Sequence, residues 1–141
     1  MANVIRLHHV AFAHQAGDDV HVLLAELFGL KTVHTEPGDG FVERMIPIGD
    51  SYLQTLEACG AGIVERFVER RGASLHHVAF EVDDVEAMVE RLREAGVSLV
   101  DERPRPGGMG SSIAFIHPAV FGGMLVELVQ PVGAGEGSEP L

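Results

Sequence analysis

The sequence predicts an α+β protein made of two tandem βαβββ modules, and three observations carry that prediction. The six residues LHHVAF at 7–12 recur at 75–80, a length of match that marks an internal duplication. Each copy is followed by Asp-Asp-Val and then by apolar residues at helical spacing. Each half then offers three short apolar runs broken by turn residues, which is how strands in a small sheet read.

Taken in order, LHHVAF supplies the first strand of each module. After the first copy, Val20, Leu23, Leu24, Leu27 and Phe28 follow a helical period, with Asp18 and Asp19 available as N-cap and Gly29 placed for the C-terminal cap. Strands are expected over Lys31–His34, Phe41–Ile48 and Tyr52–Glu57. Residues 62–71 read as an amphipathic linking helix with Ile63, Val64, Phe67 and Val68 on one side. After the second copy, Val85, Met88, Val89 and Leu92 repeat the helical period and Gly96 closes it, while Asp83 and Glu86 are spaced as a capping box. Strands are expected over Ser98–Val100, Ser112–His117 and Met124–Gln130. The modules thus span about 5–60 and 74–131 of a single domain (1–132), and the Gly-, Ser- and Glu-rich end, 133–141, is expected to be a flexible tail. Two such modules related by a pseudo-twofold axis would bury their sheet faces against each other. Equivalent residues would then surround one open, barrel-like cleft.

The chain has 141 residues, 46% of them apolar, enough for one domain with a packed core. With 21 acidic and 10 basic residues the formal charge is −11, which disfavours nucleic acid and acidic membrane surfaces as partners. The single cysteine, Cys59, makes no internal disulfide and no cysteine-based zinc site. No run reaches the roughly 18 apolar residues of a membrane span, and the N-terminus lacks a signal-like pattern. A cytoplasmic protein is expected.

Which residues could do chemistry follows from the repeat. His9 and His77 hold the same place in the two copies. Alternation puts His9 with Leu7 and Ala11, and His8 with Val10 and Phe12, but leaves open which face looks inward. Whichever histidine faces the cleft in one copy should do so in the other. The last strand of each half sets a polar side chain in an apolar run: Gln54 in Leu53–Leu56 and Glu127 in Val126–Val129. A buried polar group costs a few kcal/mol unless it is hydrogen-bonded or bound to a metal. Glu127 has no basic neighbour in sequence; Glu57 rivals Gln54 but falls on the opposite face of its strand. Two imidazoles, a carboxylate and an amide oxygen make a sulfur-free set suited to Co²⁺, Mn²⁺, Ni²⁺, Zn²⁺ or Fe²⁺. Four protein donors on a six-coordinate ion leave two places for two oxygens of one substrate, where the ion would stabilise an oxyanion. Glu43, flanked by apolar residues on a predicted strand, is the candidate base.

The run LHHVAFEVDDVEAMVERLREAGVSLVDERPRPGGMGSSIAFIHP, followed by GGMLVELVQP, resembles the methylmalonyl-CoA epimerase family. That family belongs to the vicinal-oxygen-chelate superfamily, with glyoxalase I and the ring-cleaving dioxygenases. The likeness covers roughly residues 5–131. It implies the vicinal-oxygen-chelate fold, one divalent ion (Co²⁺ first, with Mn²⁺, Ni²⁺ or Zn²⁺ as alternatives) at His9, Gln54, His77 and Glu127, and a homodimer. It also implies epimerisation of an acyl-CoA-type substrate, with Glu43 and Glu127 as acid/base groups on opposite faces. The chain departs from the family at Ser111 and Ser112 and at Ala119, Val120 and Phe121, where basic residues are usual. Arg66, Arg70, Arg71, Arg103 and Arg105 are the cations that could replace them in meeting CoA phosphates. Within the superfamily the alternatives are a glyoxalase-like isomerase, an Fe²⁺ ring-cleaving dioxygenase using His9, His77 and Glu127, and a non-enzymatic antibiotic-binding protein.

Overall fold

The computed structural model describes residues 1–133, so the expected tail lies, Gly133 apart, outside the described residues. The first module runs β1 (Val4–His14), α1 (Val20–Phe28), β2 (His34–Pro37), β3 (Phe41–Ile48) and β4 (Ser51–Ala58). Helix α2 (Ile63–Arg71) follows. The second runs β5 (Ser74–Val82), α3 (Val85–Glu94), β6 (Arg105–Pro106), β7 (Ser112–Ile116) and β8 (Val126–Gln130). The βαβββ order occurs twice, and the pairing repeats with it. In each module the first strand pairs in parallel with the fourth, the fourth antiparallel with the third, and the third antiparallel with the second.

The chain falls into two compact units, residues 9–76 and residues 1–8 with those from 77 onward. In the 9–76 unit, α2 buries Val64 and Phe67 against Ala11, Ala13, Leu56 and Ala58. Ile63, expected on the same stripe, is instead 59% exposed; it opens the helix one position before the buried series begins. Helix α1 has the expected span and ends at Gly29, whose φ of 70° suits a residue without Cβ. None of its residues is fully buried, and Leu23, Leu27 and Phe28 stay 52%, 69% and 66% exposed. Asp19 does not cap it: at φ 38° its side chain makes no cap hydrogen bond. At the β2–β3 turn Gly40 is required twice over, by its φ of +83° and because a Cβ there would meet the Ala61 carbonyl oxygen at 2.5 Å.

In the other unit, α3 packs Val85, Met88 and Val89 against Ala114, Ile116, Val126 and Leu128. Its N-cap is Asp84, which accepts the Ala87 N–H at 3.0 Å, one residue later than the expected Asp83–Glu86 box. Asp83 is engaged elsewhere, accepting the Asn3 N–H at 2.8 Å. Segment 1–8 is held further by Arg6–Glu81 at 3.2 Å and by Arg91 donating to the Ala2 carbonyl at 2.5 Å.

Two expected strands differ. β2 runs His34–Pro37, three residues later than the expected Lys31–His34, although Val33 already donates to the Met45 carbonyl at 2.9 Å. Ser98–Val100 is not a strand: Leu99 makes one isolated bridge to Ile116, and the second strand of this module is the two-residue β6. Pro104 and Pro106 lack the N–H groups a longer ladder needs. Among the described residues no helix is long and apolar enough to cross a membrane.

Candidate metal centre

Each candidate donor owes its position to strand alternation. On β1, residues 9, 11 and 13 share a face, and His9, Ala11 and Ala13 are buried along it. Register carries that face to β4 and β3: His9 pairs with Tyr52, Ala11 with Gln54 and Gln54 with Met45, while Glu43 pairs with Leu56. His9, Gln54 and Glu43 therefore share one face of the same unit, Gln54 buried and Glu43 half-buried. The Gln54 amide donates to Met45 Sδ at 3.4 Å. Its Oε1 is buried and has no hydrogen-bond partner among the described residues. Glu57 lies on the opposite face, where Arg44 Nη1 binds it at 2.7 Å. That hydrogen bond holds the Glu57 carboxyl below the usual carboxylate range, against the opposing effect of burial.

The second unit arranges its donors alike. Ala79 pairs with Glu127, so His77, Ala79 and Glu127 share the face turned away from α3, whose apolar contacts use Val126 and Leu128. Glu127 lies on β8, flanked by β5 and β7, and is only 6% exposed. His77 Nε2 stands 3.0 Å from Glu127 Oε1. The choice that alternation left open is thereby decided. His9 and His77 are 3% and 4% exposed, whereas His8 and His76 are half-buried, His76 packing edge-on against Phe67 at 4.7 Å.

Ligand atoms of His9, His77 and Glu127 all lie within 4.8 Å of one another. Two imidazoles and a carboxylate, buried and without sulfur, fit a divalent ion of the Co²⁺–Zn²⁺ series. Bringing an ionised carboxylate to such depth is costly without a cation or donors to meet it. These three residues can hold a metal ion.

Sequence reasoning missed the groups that brace His77. Phe115, opposite Glu127 in register, meets the His77 ring edge-on at 5.4 Å with a 90° interplanar angle. Asp101 Oδ2 accepts the Phe115 N–H at 2.8 Å. The period-2 pattern of β7 puts Phe115 on one face with Ile113, but nothing in the linear order brings Asp101 to it.

Comparison with known proteins identifies the family. The chain is 32% identical over 130 residues to the ethylmalonyl-CoA/methylmalonyl-CoA epimerase of Cereibacter sphaeroides, covering 89% of this chain and 97% of that one. Its structure is similar to that of a variant of Streptomyces coelicolor methylmalonyl-CoA epimerase in complex with 2-nitronate-propionyl-CoA, with TM-score 0.89, 32% identity and coverage of 98% and 100%. It is similar also to a methylmalonyl-CoA epimerase in complex with methylmalonyl-CoA and NH4+, with TM-score 0.88, 32% identity and the same coverage. A family model matches residues 8–115, and the chain belongs to the Glyoxalase/Bleomycin resistance protein/Dioxygenase superfamily.

Proposed function

We propose that this chain is a metal-dependent epimerase that interconverts the 2R and 2S forms of methylmalonyl-CoA or a similar 2-substituted acyl thioester. The observation that carries the proposal is the buried His9–His77–Glu127 donor group. The likeness to epimerases over nearly the whole chain supports it. His9, His77 and Glu127 would hold the ion, with Gln54 as fourth ligand through its Oε1, which has no hydrogen-bond partner among the described residues. A divalent ion bound there supplies Lewis-acid stabilisation of negative charge on substrate oxygens, and Co²⁺ is our first choice.

The chain's own residues then move the protons. Glu43 takes the proton from the carbon that separates the thioester carbonyl from the carboxylate, leaving that carbon planar. Return of a proton to the opposite face, drawn from solvent by way of Glu127, inverts the centre, and the proton held by Glu43 passes to solvent. The half-buried position of Glu43 on the His9 face suits it to this work. We place the enzyme in the cytoplasm, in keeping with its single, unpaired cysteine. We read it as a homodimer, for which the uncovered apolar side of α1 is one available surface.

The test is deuterium incorporation into (2R)- and (2S)-methylmalonyl-CoA in heavy water by Co²⁺-loaded protein, measured against the protein-free rate. Rapid exchange with interconversion of the epimers is expected. In Glu43→Gln it should fall about 10²- to 10⁴-fold, the usual worth of a positioned base. Exchange no faster than without protein would overturn the assignment. Oxygen uptake with a catechol would then point to ring cleavage on the same three donors.

A further inference from the structure

The unit that holds His77 and Glu127 also carries a cation for which the chemistry above has no use. Arg105 on β6 pairs with Ile113 of β7. Its guanidinium carbon lies 5.6 Å from the centroid of the Phe115 ring, and that same ring meets His77 at 5.4 Å. The guanidinium and a candidate metal ligand thus contact the same phenyl ring. Asp101 fixes the arrangement with both oxygens: Oδ1 accepts the Arg105 Nε–H at 2.9 Å and Oδ2 accepts the Phe115 N–H at 2.8 Å. The Asp101 side chain is 14% exposed and that of Arg105 51%. Asp101 engages Arg105 through Nε, and neither terminal nitrogen has a hydrogen-bond partner among the described residues. A guanidinium pinned at Nε, stacked on an aromatic face and, among the described residues, unengaged at both Nη atoms is preorganised to take an anion through a two-pronged bond.

Its place in the sequence makes this cation stand out. From Pro106 to Val126 the chain has no Asp, Glu, Lys or Arg, and this stretch leaves Met109, Val120, Phe121 and Met124 exposed at 39%, 42%, 48% and 36%. Arg105 is the last formal charge before that apolar stretch, in a chain of net charge −11. We propose that Arg105 is a specificity residue of the same reaction, its Nη atoms binding an oxyanion of the substrate. The inference rests on the epimerase reading for the identity of that substrate. The oxyanion can be the carboxylate beside the reacting carbon or a phosphate at the far end of the carrier, since both present the same geometry to a guanidinium.

The test compares wild type, Arg105→Gln and Arg105→Lys on methylmalonyl-CoA and on methylmalonyl-pantetheine, which lacks phosphates. A charged hydrogen-bond pair of this kind is worth about 10- to 100-fold in kcat/KM. Arg105→Gln should lose that much on the CoA thioester, and Arg105→Lys part of it, with the metal-induced rise in Tm unchanged in both. The same loss on the pantetheine thioester assigns the carboxylate; a loss confined to the CoA thioester assigns a phosphate. Variants within twofold of wild type on both substrates would overturn the proposal. If wild type turns over neither thioester, the epimerase reading fails by itself. Calorimetric binding of malonate and of free CoA then decides on Arg105: weaker binding of either one by Arg105→Gln supports the proposal, and equal binding of both refutes it.

Discussion

Replacing Gln54 by Leu separates two roles for this residue by the sign of a stability change. Gln54 is 6% exposed, its Oε1 has no partner among the described residues, and its amide reaches only Met45 Sδ at 3.4 Å. A buried carbonyl oxygen without a hydrogen bond costs about 1–3 kcal/mol. Leucine keeps the volume and removes that oxygen, while the weak N–H···S contact it forfeits offsets part of the gain. Metal-free Gln54→Leu should therefore be more stable than metal-free wild type by about 1–2 kcal/mol, or roughly 2–6 °C in Tm for a chain of this size. With the metal bound, that advantage should be offset. Losing one of four donors weakens affinity on the order of 10- to 100-fold. At a fixed metal concentration above Kd, that subtracts about 1.4–2.7 kcal/mol from the metal-linked stabilisation. The assay is thermal unfolding followed by circular dichroism, in EDTA and in excess Co²⁺, for both proteins. A variant that is less stable in EDTA yet gains as much from Co²⁺ as wild type would refute the reasoning and make Gln54 a packing residue.

The Arg44–Glu57 pair gives a prediction in pH. Arg44 holds the Glu57 carboxyl below its ordinary range, so the pair's contribution is complete above the unfolded carboxylate value and is lost as pH falls through the lower, folded one. With side chains 17% and 20% exposed, the pair should contribute about 1 kcal/mol. Urea unfolding of Arg44→Gln should show that deficit at pH 7 and a shrinking one toward pH 3; a deficit that does not change with pH would count against the pair. The two helix starts should answer mutation differently. Asp84→Ala removes the hydrogen bond to the Ala87 N–H and should cost about 1 kcal/mol, whereas Asp19→Ala, which loses no cap bond, should cost no more than a few tenths by the same denaturant assay. Equal losses at the two positions would show that the αL geometry of Asp19, not its missing cap bond, governs the first helix.

The parts of the fold legible in the sequence are those set by local periodicity. The repeated LHHVAF made the two modules visible, and the 3.6- and 2-residue patterns placed α1, α3, β3, β4, β7 and β8 within a residue or two. The cap of α3 was misplaced by one residue because Asp83 is drawn off by the Asn3 N–H eighty positions away, a competition no local pattern records. The strand expected at Lys31–His34 lies three residues later in β2, and Ser98–Val100 failed as a strand for a related reason. A short apolar run becomes a strand only if a neighbour offers its ladder, and near Ser98–Val100 the prolines of 104 and 106 leave little to offer.

The same division runs through the candidate site. The sequence by itself determined that His9 and His77 are equivalent and that Glu127 interrupts an apolar strand, because duplication and alternation are written in linear order. Only the tertiary structure decided that the second histidine of each pair is the buried one, and that Asp101, Arg105 and Phe115 form a brace behind His77. Burial and register depend on which chain segment packs alongside, and that is settled by contacts between residues far apart in sequence.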